Sequence, residues 1–247
     1  MAERAFDVVA FDGDDTLWHN ERSYRTARRR VRELLAAAGV AISEEELDVH
    51  VNRTELGNLE YYGYGVSSFV LSLIETSIDL TGGRIRGGEL RGLIDLAKHM
   101  LTEEIELFSG ARDAVQRLAS TYPLMLITMG DLLHQRSKLD RSGLQDHFQF
   151  VEVVSRKTPH TYRSILSRHR IDPNRFLMVG NSLRSDVGPV VEVGGWAVHV
   201  PAALSWSYEH ADPPDQGQHR YFELASLDHL AGLVETLERT AKPVVRT

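Results

Sequence analysis

The 247-residue sequence contains no cysteine, which excludes disulfide bonds, thiolate metal sites and cysteine nucleophiles. It also lacks long apolar runs, and none approaches the ~20 residues that a helix needs to cross a bilayer. We also expect no signal peptide before the first apolar run. We therefore expect a soluble, cytoplasmic protein with no membrane partner.

A surplus of positive charge is also missing, since 28 Lys and Arg face 35 Asp and Glu for a formal net charge of -7. Nucleic-acid-binding proteins usually present a basic face, so we expect no nucleic-acid partner. A small anionic substrate remains compatible with this charge. A bound metal ion and a few nearby cations can reverse the electrostatic field inside one cleft.

Two different patterns divide the chain. Residues 19–105 carry apolar residues at helical spacing, which predicts a helical domain inserted into the rest of the chain. Residues 1–18 and 106–247 instead contain short apolar runs separated by helical patterns, as expected for parallel βαβ units. The sequence thus predicts an α/β protein with a Rossmann-like parallel-sheet core and an inserted helical domain. The predicted strands are Phe6–Phe11, Leu124–Ile127, Phe150–Val154, Phe176–Val179 and Ala197–Val200.

Two features of the helical insert concern its boundaries and surface. Gly57 is predicted to end the second helix, since glycine often follows the last turn of a helix. The basic run Arg28-Arg29-Arg30 and the nearby Arg32 are interpreted as a solvated helix face rather than a phosphate clamp.

The first predicted strand ends in an acidic segment, Asp12-Gly13-Asp14-Asp15-Thr16. Two carboxylates at positions i and i+2, with a hydroxyl at i+4, suit a divalent metal, a nucleophile and a proton donor held together. A solvated acidic turn explains the same segment equally well, because Asp and Gly are common turn residues.

Polar groups also follow the next three predicted strands. Thr128 and Met129 follow the second strand, Lys157 follows the third, and Gly180-Asn181 with Asp186 follows the fourth. Ligands of open α/β sheets bind at the carboxyl ends of the strands. We therefore expect these residues to lie near Asp12 and Asp14.

In this order the four segments resemble the motifs of the haloacid dehalogenase superfamily. Asp12-Gly13-Asp14-Asp15-Thr16 is similar to its DxDxT motif, Thr128 to its second motif and Lys157 to its third. Gly180-Asn181 with Asp186 is similar to the fourth, with Asn181 replacing an acidic residue. The helical insert resembles the C1-type cap domain of that superfamily.

This resemblance implies a Mg²⁺-dependent phosphatase that hydrolyses a small phosphorylated metabolite through an aspartyl-phosphate intermediate. Asp12 is the expected nucleophile and Asp14 the expected acid and base. Thr128, the Met129 N–H and Lys157 are expected to bind the phosphoryl group. The expected Mg²⁺ ligands are Asp12, Asp14 through its carbonyl, and the loop with Asn181 and Asp186. Asp186 either coordinates the ion or orients Lys157.

Three other activities compete with this hypothesis. A phosphomutase uses the same acids and differs in how its cap excludes water. A dehalogenase is a weaker alternative, because the resemblance implies that haloacid dehalogenases lack the second acid, here Asp14. A phospho-accepting signalling module also pairs acids with Thr and Lys on a parallel sheet, but it needs no large insert.

Overall fold

The computed structural model describes residues 4–214 and 220–241, which form two compact units. One unit contains the sheet and comprises the residues up to His19, residues 105–128 and those from 135 onwards. The other, here called the helical unit, comprises residues 20–104 and 129–134. No helix among the described residues is long and apolar enough to span a membrane.

Within the described residues the sheet has six strands in the order β3-β2-β1-β4-β5-β6, which confirms the predicted Rossmann-like α/β core. β1 occupies the interior of the sheet and pairs in parallel with both β2 and β4. All four residues of β1 are buried, as expected for a strand covered on both faces. The strands are β1 (Val8–Phe11), β2 (Leu124–Met129), β3 (Phe150–Val154), β4 (Phe176–Gly180), β5 (Trp196–His199) and β6 (Tyr221–Glu223).

Alternate side chains of the sheet enter two separate cores, because successive residues of a strand point to opposite faces. Val9 and Phe11 belong to one core, which also contains residues of α5 and α9. Val8 and Ala10 belong to the other, which contains residues of α7 and α8. The helices outside the insert are α5 (Ala111–Ala119), α6 (Leu132–Ser142), α7 (Pro159–His169), α8 (Gly188–Glu192) and α9 (Leu230–Ala241).

The helical unit contains four helices around its own apolar core, which includes Val31, Val51, Phe69 and Leu93. Its helices are α1 (Glu21–Ala37), α2 (Glu44–Tyr62), α3 (Val66–Thr81) and α4 (Gly87–Thr102). A capping box of Ser43 and Glu46 begins α2 by satisfying backbone N–H groups of its first turn.

Two predictions about the helical unit are wrong. Gly57 does not end α2, which continues to Tyr62 and ends at Gly63, whose φ of 68° suits a glycine. Arg29 and Arg30 are exposed as predicted, whereas Arg28 does not lie on a solvated face. It is buried, and its guanidinium lies 3.5 Å from Glu21 and 3.3 Å from Glu55. Carboxylates from two helices compensate the buried cation, which the sequence of α1 alone does not indicate.

Candidate active site

Three buried charged side chains meet at the carboxyl end of the sheet. Asp12 directly follows β1, Lys157 lies in the loop after β3, and Asp186 lies in a single π-helical turn after β4. The Lys157 ammonium is 2.5 Å from the Asp12 carboxylate and 2.6 Å from that of Asp186. The positions of these three residues after strands of one sheet predict that they lie together, and the structure places them in direct contact.

One ammonium shared between two buried carboxylates shapes the electrostatics of this cluster. Burial, with the Asp186 charge, raises the pKa of Asp12 to about 7 against the opposing effect of Lys157. Burial alone would lower the pKa of Lys157, but the charges of Asp12 and Asp186 raise it well above its usual value. Lys157 is therefore a permanent cation beside Asp12.

The Thr16 hydroxyl connects Asp12 to the loop that follows β4. It lies 3.0 Å from the second Asp12 oxygen and 3.2 Å from the Asn181 side-chain oxygen, and it accepts from the Asn181 backbone N–H at 3.0 Å. A carboxylate oxygen and an amide oxygen thus converge on one point. Thr16 was part of the acidic motif, but the sequence analysis gave it no separate role.

Asp14 lies beside this cluster but has its own set of partners. Its carboxylate accepts from the Trp18 indole at 2.6 Å, from the Gln135 amide at 2.9 Å and from the Lys138 ammonium at 2.8 Å. Burial would raise the pKa of this carboxyl. The Lys138 charge and the three hydrogen bonds outweigh burial and lower the pKa below its usual value.

Gly13 separates the two acids and allows Trp18 to reach Asp14. A Cβ atom at position 13 would lie 2.6 Å from the Trp18 ring, closer than real Cβ contacts occur. The glycine therefore gives the fully buried indole room to pack beside the loop and to donate to the carboxylate.

Gln135 and Lys138 were missed by the sequence analysis. Together with Ser142 they occupy buried positions of α6 at a spacing of three and then four residues. That spacing marks one face of a helix, and a buried face normally carries apolar residues. Polar residues in such a stripe are the signal that could have indicated a partner for Asp14.

Thr128 and Met129 end β2, next to the end of β1. Among the described residues the Thr128 hydroxyl is buried and has no hydrogen-bond partner. An unpaired buried hydroxyl is costly, so such a group is expected to have a partner when the site is in use. A phosphoryl oxygen is an acceptor that suits it.

The donor atoms fit a Mg²⁺ ion that keeps several of its own waters. Such an ion is typically held by one or two carboxylates together with substrate phosphate oxygens. Asp12 and Asn181 offer one carboxylate and one amide oxygen that converge on Thr16. Both oxygens of Asp186 have partners, Lys157 and the Ser182 N–H. The described residues contain no group of three His, Asp or Glu arranged to hold a metal by themselves.

Comparison with known proteins identifies the class of protein. The model of the haloacid dehalogenase-like hydrolase family matches residues 6–194, and the chain belongs to this family. A haloacid dehalogenase-like family hydrolase from Xanthomonas campestris has a similar structure, with a TM-score of 0.84 and 37% sequence identity. That similarity covers 96% of this chain and 94% of the other.

Curated relatives are more distant. A glyceraldehyde 3-phosphate phosphatase from Pyrococcus abyssi is 27% identical, over 76% of this chain and 78% of its own length. The enzyme of the same name from Pyrococcus furiosus is 26% identical, over 77% and 79%. A 2-haloacid dehalogenase from Pseudomonas syringae shares the fold, with a TM-score of 0.62 and 20% sequence identity. That similarity covers 94% of this chain and 99% of the other.

Proposed function

We propose that this hydrolase is a Mg²⁺-dependent phosphatase that acts on a small phosphorylated metabolite. The pair of acids Asp12 and Asp14 is the observation that carries the proposal. A halide leaves carbon as a stable anion and needs no proton, whereas an alkoxide leaving phosphorus is helped by a proton donor. A second carboxylate beside the nucleophile therefore favours phosphate esters over haloacids.

In the first step, a carboxylate oxygen of Asp12 attacks phosphorus and the bond from phosphorus to the ester oxygen breaks. The leaving oxygen takes the bond pair and a proton from Asp14, and an aspartyl phosphate remains. Lys157 and the Thr128 hydroxyl would hold the phosphoryl oxygens as charge redistributes over them. The fixed ammonium 2.5 Å from Asp12 supports this role, since it needs no rearrangement to balance the phosphoryl charge.

In the second step, water attacks the phosphorus of the aspartyl phosphate. Asp14 accepts a proton from that water, the bond from phosphorus to the Asp12 oxygen breaks, and inorganic phosphate leaves. The lowered pKa of Asp14 favours the carboxylate form that accepts this proton, whereas its role as the acid in the first step uses the protonated form. Esters whose alcohols leave readily without a proton are therefore expected to react fastest in the first step.

Asp12, the carbonyl of Asp14 and the Asn181 side chain would hold Mg²⁺, with Asp186 orienting Lys157. When bound, the ion would neutralise negative charge on the phosphoryl group. The names of the Pyrococcus relatives support a small phosphorylated metabolite as the substrate class. Because the helical insert resembles a C1-type cap domain, the helical unit would act as the cap that selects the substrate.

The test is phosphate release from a panel of phosphorylated metabolites and p-nitrophenyl phosphate, with and without Mg²⁺. Asp12→Asn should abolish turnover, because an amide oxygen is a poor nucleophile. Asp15→Asn is the matched control, since Asp15 has a φ of 58° that asparagine also tolerates, and it should retain turnover. Phosphate release by Asp12→Asn at the parent rate would refute covalent catalysis by Asp12.

A further inference from the structure

One of the residues that contact Asp14, Lys138, lies outside the four motifs. Lys138 is buried on α6 and lies 124 positions from Asp14 in the sequence, yet its ammonium is 2.8 Å from the Asp14 carboxylate. Asp12 and Asp14 of the first motif thus each contact a different buried lysine. Lys157 contacts Asp12, and Lys138 contacts Asp14.

Burying a lysine is costly unless its charge is compensated and hydrogen-bonded. A hydrophobic residue at position 138 would fill this buried face of α6 without that cost. Lys138 points its charge at a carboxylate that the proposed reaction uses. Solubility does not explain the cation at position 138, because Lys138 is buried, whereas Arg136 on the same helix is exposed.

The remaining partners of Asp14 fix its carboxylate from other directions. Trp18 donates to the same oxygen as Lys138, and Gln135 donates to the other oxygen. Trp18 is fully buried, and Gln135 is buried one helical turn before Lys138, so neither donor can readily swing away. Three donors on two oxygens leave the carboxylate little rotational freedom.

We propose that Lys138 is a positioning residue which, with Gln135 and Trp18, holds the Asp14 carboxylate in the orientation used for proton transfer to and from the leaving oxygen and the attacking water. This inference rests on the proposed phosphatase activity for its kinetic consequence. The arrangement itself rests only on the three hydrogen bonds, so the two claims can be tested separately.

The kinetic test compares Lys138→Met with the parent on two esters. In the first step an alkyl phosphate needs a proton on its leaving oxygen, whereas p-nitrophenyl phosphate does not, so only the alkyl ester depends on a correctly oriented Asp14 for release of its alcohol. Because the second step uses Asp14 for both esters, alcohol release is followed in a single turnover, where it reports the first step alone. We expect the single-turnover rate of alcohol release from the alkyl ester to fall by about 10²-fold, within the range for impaired general acid–base catalysis. We expect the single-turnover rate of nitrophenol release to change by less than about threefold, and the substrate concentration that gives half of the maximal rate to stay similar for both esters.

Two further variants separate positioning from general damage. Arg136→Met removes an exposed cation from the same helix and should leave both esters unaffected. Gln135→Met deletes one donor but keeps Lys138, and it should reproduce the same leaving-group pattern more weakly. An equal loss of the single-turnover rate of alcohol release on both esters, or a faster release from the alkyl ester in Lys138→Met, would overturn the proposal.

The indole N–H resonance of Trp18 gives a readout that needs no activity. Because the indole donates to the oxygen that Lys138 also contacts, Lys138→Met should shift that resonance, whereas Arg136→Met should not. An unmoved resonance in Lys138→Met would overturn the arrangement. If the parent releases no phosphate from any ester while the resonance shifts as expected, the proposed function fails and the positioning of Asp14 by Lys138 stands.

Discussion

Glu55 of the helical unit should make the stability of this protein depend on pH. It is buried on α2, and Arg28 of α1 lies 3.3 Å from its carboxylate. The same guanidinium also faces Glu21, so one cation serves two buried acids. Burial, with the Glu21 charge, raises the pKa of Glu55 to about 7 despite the attraction of Arg28.

The sign of the effect follows from proton linkage. A raised pKa in the folded state means that the folded protein binds this proton more tightly than the unfolded chain. The resulting stabilisation is complete below the ordinary pKa of 4.5 and is lost as the pH rises towards about 7. At about 1.4 kcal/mol per pKa unit, the difference between 4.5 and about 7 sets a ceiling of about 3.5 kcal/mol on the loss of stability.

Glu55→Gln removes the titration and keeps a side chain of similar shape. Between about pH 5 and pH 8, the parent should lose up to about 3 kcal/mol of unfolding free energy relative to this variant. Glu60→Gln makes the same chemical change at an exposed position of α2 and should give a difference that does not change with pH.

Urea unfolding of the full chain, followed by two probes, measures this effect. The three tryptophans, Trp18, Trp196 and Trp206, all belong to the unit that contains the sheet, so their fluorescence follows that unit. Far-ultraviolet circular dichroism also follows the long helices α1–α4. If Glu55→Gln and Glu60→Gln show the same flat difference, to within about 0.5 kcal/mol, the reasoning about Glu55 is wrong.

Three further predictions concern the candidate active site. A chelator should abolish phosphate release, and added Mg²⁺ should restore it. Ca²⁺ should inhibit, because its larger, more variable coordination shell disturbs the alignment of the nucleophile with the phosphoryl group. Full activity in excess chelator would show that the reaction needs no metal ion. Gly13→Ala should lower the unfolding free energy by about 1–3 kcal/mol, because the new Cβ would lie 2.6 Å from the Trp18 ring, and a thermal melt equal to that of the parent would contradict this. Thr128→Val should weaken competitive inhibition by inorganic phosphate about tenfold, which corresponds to roughly 1.4 kcal/mol of binding free energy. Thr121→Val, on the exposed surface, should leave the inhibition constant unchanged. Equal inhibition constants for Thr128→Val and the parent would exclude the Thr128 hydroxyl from phosphate binding.

The sheet was predictable because its strands are short apolar runs that end abruptly in polar residues. Phe150–Val154 was predicted with the bounds that the structure shows, and Leu124–Ile127 lies within β2. β6 was missed because three residues, Tyr221–Glu223, give no periodicity to detect. Its strand character comes from pairing with β5 rather than from its own sequence.

In the site, too, some contacts could be predicted from the sequence and others could not. Asp12, Lys157 and Asp186 could be predicted to meet, because each follows a strand of one parallel sheet. Lys138 and Arg28 could not be placed, because each is compensated by carboxylates distant in the sequence or on another helix. Local sequence patterns indicate which face of a helix is buried, but they do not indicate which charged side chain of another element contacts that face.

Single-turnover hydrolysis in water carrying the heavy oxygen isotope tests the central claim most directly. In the proposed reaction water attacks phosphorus, so the label should appear in inorganic phosphate and Asp12 should remain unlabelled. In a dehalogenase-type reaction water attacks the carboxyl carbon of an ester on Asp12, which places the label in the Asp12 side chain. Mass spectrometry of the phosphate and of the peptide containing Asp12 distinguishes the two. Labelled phosphate with unlabelled Asp12 is the predicted result, and labelled Asp12 would contradict the account.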